Sequence, residues 1–162
     1  SVCNSRFGED AYQSFSAIGN AQTILFVNKS LYLYRENPAG ASEGFERKDF
    51  DYFNTRYVCE LLLNFLPKWG LEDNSTKRRL YACNFNGTVN TILKYYRAAK
   101  TMKRRREIVK YDWTKYLLPE VLCNIKNNDF IRQSYLVVWK AFEQNSHFEI
   151  YIREKLKKYI GW

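Results

Sequence analysis

Apolar residues recur at helical spacing through most of this chain. In residues 10–34 they fall at Ala11, Phe15, Ile18, Ala21, Leu25 and Phe26, close to the i, i+3, i+4 rule, and Asp10 is placed to cap the first turn. The stretch 24–34 is also rich in β-branched and aromatic residues, the composition of a strand. The reading adopted is one helix with a kink near Asn28. Residues 36–44 hold Pro38 and two glycines and read as a turn. The clearest amphipathic pattern covers residues 45–65, with Phe50, Phe53, Tyr57, Val58, Leu61, Leu62 and Phe65 on one stripe. Pro67 and Gly70 should end that helix, and the polar stretch 71–79 reads as a loop. A third helix is expected over 86–110, with Val89, Ile92, Leu93, Tyr96, Ala99 and Met102 facing inward. Pro119 interrupts a fourth segment over 113–125, and a last helical region over 130–159 breaks near Asn145 and Ser146. With no repeat, linker or low-complexity tract, these elements predict a single domain over 1–162, an all-α bundle of about five helices.

Composition narrows the function classes. A chain of 162 residues suits one domain with one core. Its mean hydropathy of −0.52, without an uncharged apolar run near ~18 residues, leaves no candidate membrane span. Aromatic residues make up 17% of the chain, which excludes intrinsic disorder. The net charge of +9 is unevenly placed: residues 1–76 carry a net −3 and residues 77–162 a net +12. Such an asymmetry marks a face that meets something anionic.

Cys3, Cys59, Cys83 and Cys123 show no C-x-x-C spacing, and His147 is the single histidine, so the pattern offers no zinc site and no metal is expected. Sequons at Asn28, Asn74 and Asn86 fit an exported protein. The chain begins at Ser1 without an apolar leader core, as a processed protein would. An even cysteine count in that setting predicts two disulfides. If successive helices alternate up and down, all four thiols fall toward one end of the bundle, and three pairings stay open.

Catalytic signatures are missing. No nucleophile elbow, P-loop, dinucleotide-binding, zincin or EF-hand motif occurs, and the expectation is a protein that is not an enzyme and needs no cofactor. Cations interleaved with aromatics carry more information: Lys94-Tyr95-Tyr96-Arg97 leads into Lys100, Lys103, Arg104, Arg105, Arg106 and Lys110, then Tyr111, Trp113 and Tyr116. Nucleic-acid binders use such mixtures, but export argues against that partner and toward anionic lipid or glycan. Near the C-terminus, Tyr135-Leu136-Val137-Val138-Trp139 and Phe142 cover more than one helical face. Tyr151, Tyr159 and Trp162 then alternate with Arg153, Lys155, Lys157 and Lys158. A basic amphipathic helix of this kind lies in a membrane interface, whereas a buried terminal helix or a self-association patch would use the same residues.

Short motifs add a resemblance. Ser14-Phe15, Leu31, Leu33, Gly40 and Asn54-x-Arg56-Tyr57 lie in a stretch, 13–58, that runs without gaps against one family. Lys115-Tyr116-Leu117-Leu118-Pro119, followed by Asn124-Ile125, is similar to a Lys-Tyr-Leu-Pro run of the same family with one extra Leu. On these residues the chain resembles the sperm acrosomal proteins of abalone and related gastropods: the egg-coat-dissolving lysin and its fusogenic paralogue. The likeness covers roughly residues 10–127. It implies an all-helical, basic, non-enzymatic protein secreted from the sperm acrosomal vesicle. Lysin binds egg-coat glycoprotein stoichiometrically and loosens the envelope without cleaving bonds, and its apolar patch serves dimerisation. The paralogue is associated with membrane fusion. By position and charge, Lys100, Lys103, Arg104, Arg105, Arg106 and Lys110 would form a basic track. Two features depart from lysin: the four cysteines, and a C-terminal helical extension over 129–162. The extension favours the fusogenic paralogue, with Trp139, Phe142, Tyr151, Tyr159 and Trp162 wedged into a lipid interface. The alternatives are egg-coat binding and, more distantly, a cytokine-like helical ligand.

Overall fold

The computed structural model describes residues 9–29, 55–146 and Ile150. Among them the protein is all-helical, without strands. Six α-helices occur in order: α1 Glu9–Asn20, α2 Arg56–Trp69, α3 Asn74–Ala98, α4 Met102–Lys110, α5 Pro119–Asn124 and α6 Gln133–Glu143. Short 3-10 turns at Thr114–Tyr116 and Ile125–Asn127 flank α5. Cys3, Phe50, Phe53, Tyr151, Tyr159 and Trp162 lie outside the described residues.

The organising element is α3. Its buried positions include Asn84, Phe85, Thr88, Val89, Ile92, Leu93, Tyr95 and Tyr96, which at 100° per residue span roughly 200° of its circumference. A helix buried so widely must be wrapped, and α2, α4, α5 and α6 all pack against it, while α1 packs on α2. Asn84 is fully buried and ties three elements together. Its Nδ2 donates to the Tyr116 carbonyl at 3.0 Å and to Thr55 Oγ1 at 3.4 Å, and its Oδ1 accepts from the Leu118 amide at 2.9 Å.

Several boundaries differ from those read along the chain. The first helix stops at Asn20, whose Nδ2 turns back to the Ser16 carbonyl at 2.8 Å, so residues 21–29 are not helical. The expected loop over 71–79 is largely the start of α3. There Asp73 accepts from the Thr76 amide at 2.9 Å and from its hydroxyl, an N-cap that satisfies free first-turn donors. Those bonds hold the Asp73 carboxyl below its ordinary range. The expected helix over 86–110 is two helices. Ala99 leaves helical geometry, and Thr101 caps α4 by accepting from the Arg104 amide at 3.2 Å. Met102 consequently turns outward, and Tyr57 is likewise exposed rather than core. Pro67 lies within the last turn of α2, which closes at Gly70, in the left-handed region at φ 67°. Pro119 begins α5 rather than breaking it. The expected break after α6 is present, with Asn145 at φ 52°.

A chain of contacts orients the bundle. Residues 71–73 join α2 to α3, and Thr55, at the other end of α2, reaches Asn84. The two helices are therefore antiparallel. Gly19 packs on the Phe65 ring so closely that an added Cβ would stand 2.5 Å from it. Asn20 Oδ1 also lies 3.5 Å from Lys68 Nζ. The end of α1 thus sits at the α2–α3 turn, while α4 sits at the far end of α3.

Candidate functional site

The densest cationic stretch covers the end of α3 and all of α4. Residues 94–110 carry eight cations and one carboxylate. On α4, Ile108 and Val109 are buried, and the geometry of a helix then places Lys103, Arg106 and Lys110 on the opposite, outward stripe. All three are exposed, as is Lys100 just before the helix. Glu107 also lies on the outer side and is turned to Arg104, Nη1 to Oε2 at 3.1 Å.

Arg105 departs from the expected basic track. Its Nε donates to the Ala99 carbonyl at 3.2 Å, and its guanidinium lies 5.5 Å from the centre of the Tyr96 ring. It closes the end of α3 and anchors α4, because at its helical position it faces the core. The six cations singled out in sequence therefore divide. Lys100, Lys103, Arg106 and Lys110 are exposed, Arg104 is engaged with Glu107, and Arg105 is structural.

The aromatics among these cations do not share their surface. Tyr95, Tyr96, Trp113 and Tyr116 are all buried. Trp113 Nε1 donates to the Ile108 carbonyl at 2.7 Å, and its ring packs on Tyr95, Tyr111 and Tyr116 with centroids 4.9–6.0 Å apart. Tyr111 and Tyr116 join hydroxyls at 3.0 Å, and Lys115 Nζ lies 4.7 and 4.9 Å from their ring centres. This cluster fastens α4 to α3. It makes the cationic end rigid rather than sticky.

The C-terminal aromatics assigned to a membrane wedge need the same correction where they are described. Trp139 is 4% exposed and Phe142 6%. Trp139 packs edge-on against Phe85 at 5.5 Å, and its Nε1 donates to Glu143 at 2.8 Å. They are the core face of α6, and neither can enter lipid while the bundle is folded.

The expected disulfides and one sequon are corrected as well. Cys59, Cys83 and Cys123 are free thiols, and no disulfide joins them. Cys59 points into the core, whereas Cys83 and Cys123 are exposed on α3 and α5. Asn86 lies inside α3, where its Nδ2 donates to the Phe130 carbonyl at 3.3 Å and its Oδ1 accepts from the Arg132 amide at 3.2 Å. A glycan there would break both bonds, and Thr88 of that sequon is buried. Asn28 and Asn74 are exposed.

Two features went unnoticed along the chain. One is a cleft of about 300 Å³ lined by Asn74, Arg78, Tyr81, Asn124, Asn127 and Asn128. Asparagines scattered over 50 residues give no local signal of it. The other is the run Ile24, Leu25, Phe26 and Val27, exposed by 50, 84, 90 and 52%. Its β-branched and aromatic composition was the available clue. No described helix is long and apolar enough to cross a membrane. Comparison with protein-family models, curated proteins and solved structures finds no match to this chain.

Proposed function

We propose that this is a non-enzymatic, membrane-active protein of the gastropod acrosomal kind, lysin-like in its core with a C-terminal helical extension. It acts in fertilization, secreted from the sperm acrosomal vesicle, by docking on anionic lipid and promoting sperm–egg membrane fusion. The observation that carries the reading is the outward stripe of Lys103, Arg106 and Lys110 on α4, held on a rigid aromatic base. Each cation near an anionic bilayer contributes about 1 kcal/mol, so removing three predicts a loss of roughly 100-fold in binding. The test compares wild type with the triple variant Lys103→Ala, Arg106→Ala, Lys110→Ala on phosphatidylserine vesicles, by co-sedimentation and lipid mixing. Helicity should be unchanged, since all three side chains are exposed. No lipid mixing by wild type, on anionic or neutral vesicles, sinks the reading.

A second reading, stoichiometric binding of egg-coat glycoprotein, draws on the asparagine-lined cleft. Asn, Arg and Tyr side chains supply paired donors and acceptors of the kind sugar hydroxyls accept. Burial and the Glu120 carboxylate push the Tyr81 phenol up from a value already well above neutral pH, so its hydroxyl keeps its proton as any tyrosine's does there. Saturable binding to egg-coat glycoprotein, lost in Asn127→Ala but retained by the α4 triple variant, would favour it over the membrane reading.

A further inference from the structure

On one side of the asparagine-lined cleft, Asn74, Arg78 and Tyr81 stand at i, i+4 and i+7 on a single face of α3. They run for about 10 Å along the helix. The facing wall is Asn124, at the end of α5, with Asn127 and Asn128 just beyond it. Asn74 is also the acceptor of the sequon Asn74-Ser75-Thr76. It is exposed at the first position of α3. The point of glycan attachment is therefore itself part of the cleft wall. A volume of about 300 Å³ is at the small end for small-molecule sites, which suits a sugar unit rather than a long chain. We infer that Asn74 carries an N-linked glycan whose first N-acetylglucosamine lies in this cleft. The inference rests on the export that the reading above includes, and not on lipid docking. It competes with the second reading for the same cleft.

The chemistry of the wall favours a neutral, polar occupant. Arg78 is the one cation lining it, and its Nη2 donates to Asp129 Oδ2 at 3.1 Å and to the Asn127 carbonyl at 2.7 Å. Its charge is thus compensated, and no positive field is left to select an acid. The far wall is fixed in advance. Asn128 is buried, donates from Nδ2 to the Arg78 carbonyl at 2.8 Å and accepts at Oδ1 from the Phe130 amide at 3.1 Å. Asn124 Nδ2 donates to the Glu120 carbonyl at 3.0 Å, which leaves its Oδ1 as an acceptor. Among the described residues, the side chains of Asn74, Tyr81 and Asn127 make no hydrogen bond within the protein. Amide donors, amide acceptors and a phenol therefore surround the space, the set that sugar hydroxyls and an acetamido group can pair with. Half-buried Tyr81 adds an aromatic body to the polar wall. A sugar tethered at Asn74 meets this wall at an effective concentration of about millimolar or more, so a weak seat is sufficient. Asn86 differs, since both ends of its amide are already bonded in the fold. Attachment is a group transfer from a lipid pyrophosphate-linked oligosaccharide, the donor of the secretory pathway. Asn74 Nδ2 bonds to the anomeric carbon and gives up one proton, the bond from that carbon to the pyrophosphate oxygen breaks, and the lipid pyrophosphate leaves.

The experiment uses the full-length protein secreted from eukaryotic cells behind a supplied leader, beside protein purified from the organism that makes it. Mass spectrometry of the Asn74 peptide should find N-acetylglucosamine in most molecules of both. Sugar at Asn28 with none at Asn74 overturns the inference and leaves export standing. Sugar at Asn74 of the recombinant protein, with none anywhere on the native one, overturns export itself. The seat is read by NMR after the glycan is trimmed enzymatically to one isotope-labelled N-acetylglucosamine. Its acetyl methyl should show nuclear Overhauser contacts to the Tyr81 ring and signals as broad as those of the backbone. Sharp sugar signals without contact to Tyr81 overturn the seat even when Asn74 is occupied. The variant Asn74→Gln leaves the cleft empty, and free N-acetylglucosamine should shift the Tyr81 ring signals in that variant but not in the glycosylated protein. Equal shifts in both overturn the inference, because the cleft would then be open to a foreign sugar. Asn74→Gln should bind phosphatidylserine vesicles within twofold of wild type. Failure of wild type to bind them sinks the membrane reading and leaves the glycan results intact.

Discussion

Cys59 is a thiol buried where α2 packs on α3, and its titration follows from that position. Burial, with smaller contributions from Cys83 and Glu60, pushes it up to about 12 from an ordinary value of 9.0. Between those two values the folded protein keeps a proton that the unfolded chain has lost. Stability is untouched below pH 9 and falls as pH rises, by up to about 1.4 kcal/mol per pH unit from this group. Denaturation curves taken from pH 8 to the alkaline limit should decline less steeply for Cys59→Ala than for wild type, and parallel declines would contradict the assignment. At this scale the sequence was only partly legible. Cysteine count and sequon spacing named the right atoms, yet whether Cys59 pairs, or Asn86 carries a glycan, depends on which way each side chain faces. Arg105 makes the same point: one step from Arg104 and Arg106 in sequence, it turns 100° inward and caps a helix.

Helices were legible where apolar spacing was regular, and their ends where a cap had a recognisable side chain. The α6 break and the amphipathic α2 follow from such signals. The start of α3 did not, because the stripe test looks for apolar residues and the first turns of α3 are polar, held by Asp73 and Thr76. The break between α3 and α4 was hidden by a run of good helix formers and is imposed by packing: Trp113 and Arg105 pull α4 back onto Tyr95 and Tyr96. Asn84 is the strongest single link between elements. Asn84→Ala would leave the Leu118 amide and the Tyr116 carbonyl buried without their partner, at a cost on the order of 2–4 kcal/mol. Urea denaturation measures this directly, and a loss below about 0.5 kcal/mol would refute the role.

At the scale of the whole molecule the densest cations stand at one end of α3, around α4, with Lys77, Arg78 and Arg79 at the other. Attraction between the cationic end and an anionic bilayer acts through solvent, where the screening length falls from about 8 Å at 0.15 M salt to about 3 Å at 1 M. Co-sedimentation with phosphatidylserine vesicles should therefore weaken at least tenfold between about 0.05 and 0.5 M salt, and salt-insensitive binding would show that cations do not drive it. Chain order alone established the helical class and the basic C-terminal half, because periodicity and charge are local properties that survive any arrangement of the helices. Folding decided which of those residues meet the outside. It placed Trp139, Phe142 and the aromatics near α4 in the core, left the 24–27 segment in solvent, and separated two features that read as one surface. A helix buried on more than half its circumference draws in the aromatics that face it, Tyr116, Trp139 and Phe142 among them, and that requirement exists only once the elements are assembled.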